Sequence, residues 1–248
     1  MTEGSRRKTV HVKFLVVLVA IMSIQALAKL SEADQELLDT AWNVSPEQVI
    51  GECGFLQTTT RPDEYEDTRY LEEKIRFDPS KEGEDAWELE SVDGALPSVE
   101  ALSEFRPERQ GVYFDLLNSQ FDLTGASFHE DKGDIRTFKV PLQKTESIPA
   151  GMAKKLTGYI DIDVPTSTLR AAKIRVEKPF RFRMFMKVDK FNQTFLFDVD
   201  PEVDRFVLRE MSMDMKMGAL GQSHEMTLSV KYSDFECALD ETGLNSQT

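Results

Sequence analysis

Alternating methionines are the most distinctive chemical feature of this sequence. Four of them occupy every second position of one segment: Met211, Met213, Met215 and Met217. A β-strand would direct all four side chains from one face. Methionine is unbranched and polarisable, so it fills irregular apolar space and adapts to different guests. The pattern predicts either a core packed with flexible side chains or a deformable apolar cavity that holds a ligand.

Two other segments repeat this apolar alternation. One spans residues 182–186 and the other spans residues 226–230, and each would present one apolar strand face. A cavity built from these strands would desolvate an acyl chain or an apolar peptide. Its predicted lining is Phe182, Met184, Met186, Met211, Met213, Met215, Met226 and Leu228.

A copper site is the alternative use of the methionines. Thioethers are soft ligands that suit Cu(I), and His224 follows the methionine segment closely in sequence. One strand, however, offers same-face sulfurs only at intervals of two residues, whereas Cu(I) needs two or three sulfurs around one point. The sequence therefore favours packing or ligand burial, and we predict neither a metal site nor a cofactor.

Other polar clusters offer weaker chemistry. The chain has three histidines, and His129-Glu130-Asp131 is its one candidate acid–base cluster. The sequence contains no G-x-S-x-G elbow, no H-E-x-x-H motif and no glycine-rich phosphate loop. Asp161 and Asp163 share a strand face, whereas glycosidase carboxylates usually reach across a sugar from separate elements. We predict that the protein is not an enzyme; an envelope hydrolase using His129 or His224 is the alternative.

An alternating acidic run at residues 198–204 resembles a calcium loop only superficially. An EF-hand loop that started at Asp198 would need glycine at position 203 and glutamate at position 209. The sequence has Val203 and Arg209 there. We therefore interpret the run as a solvated turn.

The N-terminus predicts export. Four basic residues precede an apolar run at residues 14–24, which is about half of the ~20 residues that span a bilayer. Small residues then precede a cleavage site between Ala28 and Lys29, and no cysteine follows that could carry a lipid. Cleavage would change the net charge from −14 to −17, because the leader carries four basic residues and one acidic residue. We predict a periplasmic protein of a Gram-negative bacterium, without stable membrane insertion after cleavage; the acidic charge argues against nucleic acid as partner.

Predicted export also bears on the state of the two cysteines. Cys53 and Cys237 are the complete cysteine content of the chain, and they lie near its two ends. An oxidising compartment favours a disulfide between them over a redox or metal pair. Two independent buried thiols are the alternative.

The periodicity predicts one mainly β (α+β) domain over residues 29–240, between the signal at 1–28 and a frayed tail at 241–248. Capping and apolar spacing predict helices at 31–42 and 98–106, and a turn is predicted at Gly151. Residues 111–132 are ambiguous between a helical turn and a loop. Period-two segments predict strands at 53–60, 70–77, 87–89, 135–142, 156–163, 169–176, 182–190, 191–199, 206–217 and 225–235. Together they predict a single antiparallel curved sheet, a half-barrel wrapped over a few helices.

Some segments also resemble known proteins. They are Arg76-Phe77-Asp78-Pro79-Ser80, Trp87-Glu88-Leu89, Ser91-Val92-Asp93-Gly94 with Pro97, and Val230-Lys231-Tyr232-Ser233-Asp234-Phe235. They resemble an uncharacterised family of exported proteobacterial proteins. The order of elements is similar to the half-barrel of the LolA/LolB/RseB-like lipoprotein-carrier superfamily. That resemblance implies a concave apolar sheet face that holds acyl chains or a partner segment, and it transfers no individual binding residue.

We therefore expect a periplasmic, non-enzymatic binding protein for a hydrophobic ligand or for an envelope protein partner.

Overall fold

A computed structural model describes residues 30–43, 53–61, 70–107, 117, 119–145, 148, 150–182, 186–219 and 222–237 of the chain. The predicted signal with its Ala28–Lys29 cleavage site, the predicted tail at 241–248 and Met184 lie outside the described residues.

One antiparallel sheet dominates the described residues, which confirms the predicted fold class at the level of a single large sheet. The strand order is β3-β2-β1-β11-β10-β9-β7-β6-β5-β4, and β8 pairs with β9. β3 and β4 stand at opposite ends of this order, so the described sheet is not closed into a barrel. The strands are β1 Cys53–Thr60, β2 Glu72–Phe77, β3 Trp87–Val92, β4 Ser127–Lys132, β5 Ile135–Val140, β6 Leu156–Asp163, β7 Thr168–Val176, β8 Phe180–Phe182, β9 Met186–Asp200, β10 Arg205–Ala219 and β11 Gln222–Cys237.

The first helix, α1, spans Glu32–Asn43 and covers the sheet over β7. The Oγ atom of Ser31 accepts a hydrogen bond from the backbone N–H of Asp34 at 3.1 Å, which is the N-terminal cap that the sequence predicts. Leu38 and Ala41 are fully buried in the main core. This predicted helix is therefore confirmed.

Two shorter helices are also described. α2 spans Val99–Glu104, and Ser98 caps it by accepting a hydrogen bond from the backbone N–H of Ala101. This helix covers a small second core formed by Ile75, Leu89, Val92 and Ala101. α3 spans Ala150–Ala153 and replaces the turn predicted at Gly151. One-turn 3₁₀ helices lie at Gly83–Ala86 and Leu123–Gly125.

The main core follows one row of residues across six neighbouring strands. Residues directly opposite each other on paired strands share a sheet face, so a row of partners defines that face. Every member of this row is at most 2% exposed. The row is Phe138, Ile160, Ala172, Phe195, Met211 and Val230.

The segments predicted as strands 182–190 and 191–199 are divided differently in the structure. β9 continues without a break across Lys190 and Phe191, and the strand before it is β8. The pairing of β9 with β10 shifts by one residue between Lys216 and Met217. This bulge changes the phase of the apolar alternation, so the strand end predicted at this point is wrong.

β4 was not predicted. It is an edge strand whose residues are mostly exposed, so it has no apolar alternation that would distinguish it from a loop. Its pairing with β5 makes part of the ambiguous segment 111–132 a strand.

Candidate functional site

Most of the described members of the predicted apolar lining lie on a three-stranded part of the sheet that continues beyond its neighbours. The described pairing of β1 with β11 ends at Thr60 opposite Ser229, and β7 pairs with β9 only along 192–196. Beyond these points β9, β10 and β11 continue together, with β8 along the outer side of β9. We call residues 186–191, 213–219 and 222–228 the three-stranded extension.

The register places the methionines of β10 on one face, between partners on both sides that are mostly apolar. Opposite residues share a face, and alternate residues of a strand repeat it. On β9 and β11, Gln193 and Leu228 flank Met213, Phe191 and Met226 flank Met215, and Val188 and His224 flank Met217. We call Phe191, Met213, Met215, Met217, Met226 and Leu228 the methionine face.

Phe182 and Met186 join this face by a different route from the predicted one. They do not alternate along a single strand; they lie opposite each other on β8 and β9. Met186 is also opposite Ala219, which shares its face with Met217 two residues earlier. The structure thus places the described members of the predicted lining on one sheet face: Phe182, Met186, Met211, Met213, Met215, Met226 and Leu228.

Burial along β10 falls from the core into the extension, although Val188, opposite Met217 on β9, is only 1% exposed. Met211 is 0% exposed, whereas Met213 and Met215 are only half-buried. Phe191 and Leu228 pack against the edge of the main core. The apolar face therefore continues past the interior into a region that solvent reaches.

The opposite face of the extension is polar. Lys190 forms an ion pair with Asp214, and Lys216 forms one with Glu225. The hydrogen bond from Lys216 to the Glu225 carboxylate, with its negative charge, raises the pKa of Lys216. The extension is consequently amphipathic, with apolar side chains on the core side and paired charges on the other.

A second concave feature lies beside the disulfide. Cys53 and Cys237 are bonded, as predicted, and they are opposite each other on β1 and β11 with their Cα atoms 4.0 Å apart. A pocket of about 720 Å³ adjoins them, lined among others by Gly54, Arg76 and Pro79. The sequence does not indicate this pocket, because its lining comes from segments that are distant along the chain.

Several charged groups that line this pocket are paired with neighbouring side chains. Arg76 Nε lies 2.8 Å from Glu90 Oε1, and that hydrogen bond raises the pKa of Arg76. Asp78 accepts hydrogen bonds from the hydroxyl and backbone N–H of Ser80, at 2.6 and 3.0 Å, and these lower the pKa of Asp78. Lys81 adds an ion pair with Asp78 at 3.4 Å. These groups stabilise the turn after β2.

The predicted acid–base cluster lies on the exposed edge of the sheet. The ring of His129 packs edge-on against Tyr159, with centroids 5.1 Å apart, and its Nε2 is 4.0 Å from Glu130 Oε1. A hydrogen bond from Lys132 lowers the pKa of Glu130. His224 is on β11, with five strands between it and β4. The two histidines therefore do not form one site.

The carboxylate pair of β6 is held by basic and hydroxyl partners. Asp161 forms an ion pair with Lys173 of the neighbouring strand β7. Asp163 accepts a hydrogen bond from the Thr166 hydroxyl at 2.7 Å and forms an ion pair with Arg170 at 3.1 Å. The Thr166 hydroxyl is the main cause of the lowered pKa of Asp163. Both carboxylates belong to cross-strand and turn contacts.

The acidic run at residues 198–204 includes a turn after β9, but one of its members is not solvated as predicted. Asp200 is 5% exposed. Its carboxylate accepts hydrogen bonds from the backbone N–H groups of Glu202 and Val203, at 2.9 and 3.2 Å, and pairs with Arg209 at 2.8 Å. Asp200 is therefore a buried support of the β9–β10 turn.

Comparison with known proteins adds no relative. The chain matches no family model, no curated protein and no solved structure. Its resemblance to LolA-like carriers therefore stays a prediction.

Within the described residues, no three His, Cys, Asp or Glu side chains are grouped as metal ligands would be. No helix in that part of the chain is long and apolar enough to cross a membrane.

Proposed function

We propose that this protein is a non-enzymatic binding protein of the Gram-negative periplasm that holds a hydrophobic ligand on the methionine face. An acyl chain is the ligand that we consider first, and an apolar segment of an envelope protein would use the same surface. The observation that carries the proposal is the continuation of the buried face, from Met211, into the half-buried Met213 and Met215. Apolar residues that are patterned as core but reached by solvent are typical of a binding surface.

The mechanism is desolvation of the ligand and of this face. Burial of apolar surface stabilises a complex by roughly 25 cal/mol per Å², and complete burial of a large side chain by about 1.5–3 kcal/mol. The methionine-face side chains are already partly covered, so each contributes about 1 kcal/mol when a ligand covers it. Several such contributions together support binding of a flexible chain.

The choice of methionine supports a variable guest. Leucine would pack the same volume more uniquely, whereas methionine changes rotamer easily and accommodates chains of different shape. The amphipathic extension also supports the proposal, because its polar face remains compatible with water while the opposite face holds the ligand. A LolA-like half-barrel would provide the concave form of such a surface.

The disulfide is compatible with the proposed compartment. Disulfides persist in secreted and periplasmic proteins and are rare in reducing cytosol. We expect purification from the periplasm to yield a chain that begins at Lys29. Native mass spectrometry of that chain is expected to show a bound lipid or other apolar molecule; a ligand-free spectrum would count against the acyl-chain proposal.

A matched pair of variants tests the surface. Leu228 is on the methionine face, whereas the adjacent Thr227 is exposed on the polar face. We expect Leu228→Asn to weaken binding of the neutral apolar dye N-phenyl-1-naphthylamine by about tenfold, equivalent to about 1.4 kcal/mol. Thr227→Asn is expected to leave binding unchanged. Equal effects of the two substitutions, or no dye binding by the unaltered protein, would contradict the proposal.

A further inference from the structure

We infer that the end of the three-stranded extension carries a binding site for a soft monovalent metal ion, Cu(I) or Ag(I). Its ligands are Met215, Met217, Met226 and His224. The inference goes beyond the proposed apolar binding, because it assigns a separate ligand to a defined part of the methionine face.

The register of the β10–β11 pair brings these four residues together. Met217 is directly opposite His224, and Met215 is directly opposite Met226. The two pairs are successive same-face pairs, since both strands advance by two residues between them. A single strand could not provide this arrangement, which is why the sequence alone argues against copper.

The spacing of residues in a β-sheet allows these four side chains to coordinate one ion. Opposite Cβ atoms are about 5 Å apart, and alternate residues of one strand are about 7 Å apart. The four Cβ atoms therefore mark a rectangle whose centre is about 4 Å from each corner. A methionine sulfur lies two bonds beyond its Cβ, so one further metal–sulfur bond spans the remaining distance.

The chemistry of the donors selects the ion. Three thioethers and one imidazole form a neutral, soft ligand set, which suits Cu(I) and Ag(I) and disfavours Mg²⁺ or Ca²⁺. Both cysteines of the chain are in the disulfide, so no thiol competes for the ion. Access is also provided, because His224 is exposed while Met217 and Met226 are half-buried. The acidic chain, with its net charge of −14, attracts cations to its surface.

Met213 provides an internal control on the same strand and face. Its cross-strand neighbours are Gln193 and Leu228, neither of which is a soft donor. Met213 is also two residues nearer the core than Met215, so it lies outside the proposed ligand set. If Cu(I) affinity depended on the number of methionines and not on their positions, replacing Met213 would weaken Cu(I) binding as much as replacing Met217.

The test is a competition for Cu(I) against bicinchoninate, with the disulfide-bonded protein and no thiol reductant. We expect the unaltered protein to bind one Cu(I) per chain. Met217→Leu, Met226→Leu and His224→Gln are each expected to weaken Cu(I) binding by about tenfold or more, at least the cost of losing an outer-sphere partner at a metal site. Met213→Leu is expected to leave the affinity for Cu(I) unchanged.

A second readout identifies the ligands directly. Titration of Ag(I) into protein with ¹³C-labelled methionine methyl groups is expected to shift the signals of Met215, Met217 and Met226 together, at one equivalent, while the Met213 signal stays in place. Failure of the protein to compete with bicinchoninate, or equal weakening by Met213→Leu, would overturn the site. The His224→Gln variant, whose substituted residue lies outside the methionine face, is expected to retain dye binding, which shows that it is folded and separates this test from that of the apolar ligand.

Discussion

Gly158 shows how the absence of one side chain shapes the core. A Cβ atom at this position of β6 would lie 2.7 Å from Cε1 of Phe121 and 2.8 Å from the carbonyl oxygen of Val140. Neither neighbour moves freely, because Phe121 is buried in the main core and the carbonyl belongs to β5. The glycine is therefore needed for close packing of the Phe121 ring against the sheet.

We expect Gly158→Ala to lower the free energy of unfolding by about 1–3 kcal/mol, the usual cost of overpacking a core. Chemical denaturation measures the change. Gly151→Ala is the control, because a Cβ on Gly151 of α3 meets nothing within 4 Å. That variant is expected to be neutral or slightly stabilising, since alanine favours helix more than glycine does. A neutral Gly158→Ala would show that Phe121 does not pack as described.

Asp200 is a structural carboxylate within a run that otherwise suggested only a polar turn. Asp200→Ala removes two backbone hydrogen bonds and the ion pair with Arg209, so we expect a loss of about 2 kcal/mol in unfolding free energy. The exposed Asp198 pairs with Arg170 at 2.8 Å, and Asp198→Ala is expected to cost only about 0–1 kcal/mol. Urea denaturation of both variants compares them; equal stability losses would remove the special role of Asp200.

At the scale of elements, strands β5 to β7 carry a polar network around Tyr159. The Tyr159 hydroxyl donates a hydrogen bond to Glu177 Oε1 at 2.7 Å, and Lys139 donates to the same oxygen at 2.6 Å. The Arg175 guanidinium lies 5.9 Å from the centre of the Tyr159 ring. This network ties three strands together on the face away from the core.

Desolvation, helped by the hydrogen bond to Glu177, raises the pKa of Tyr159 from 10.0 to about 12. Because the folded pKa is raised, the neutral phenol contributes stability that is complete below pH 10 and is lost as the pH rises towards 12. We expect Glu177→Gln to lower the pKa of Tyr159 while leaving it above 10.0, since desolvation remains. Tyrosine absorbance near 295 nm, compared with a Tyr159→Phe variant to assign the signal, measures this. A titration of Tyr159 at pH 10 in the unaltered protein would contradict it.

The three-stranded extension is expected to keep its fold when one apolar residue type replaces another. Replacing Met213 and Met215 together by leucine nearly conserves volume and polarity. We expect the double variant to keep the fold, with an unfolding free energy within about 1.5 kcal/mol of the original and an altered dye affinity. Denaturation and dye titration measure both. A larger loss of stability would show that these methionines are uniquely packed core residues.

At the scale of the whole molecule, the disulfide joins the first strand to the last. Cys53 and Cys237 are separated by 184 residues, yet β1 and β11 are neighbours in the sheet. In the chain-entropy description, closing a loop of this length stabilises the folded state by about 5 kcal/mol. The bond therefore holds β3, β2 and β1 to the rest of the described sheet.

We expect reduction of the disulfide to lower the melting temperature, with an unfolding free energy reduced by up to about 5 kcal/mol. Thermal denaturation with and without reductant measures the effect. The double variant Cys53→Ser with Cys237→Ser is expected to match the reduced protein and to be insensitive to reductant. An unchanged melting temperature after verified reduction would show that the contacts between β1 and β11 suffice.

Local patterns were enough to predict much of the fold. Period-two alternation identified β1 and β6 with their observed bounds, and Ser31 marked the start of α1. The even cysteine count, in a chain predicted to be exported, predicted the disulfide. These features depend on residues near each other in sequence or on the chemistry of the compartment, so they can be recognised without knowledge of the pairing.

Only the tertiary structure decided the register and what it brings together. The bulge in β9 hid the continuity of that strand, and the exposed edge strand β4 lacks an apolar face to recognise. Burial of Asp200 depends on its ion pair with Arg209, which lies on the neighbouring strand β10. The sequence by itself determined that methionines alternate on β10; the pairing with β11 decided that His224 and Met226 lie opposite two of them. Strand pairing is set by contacts distant along the chain, and a shift of one residue would turn every partner to the other face.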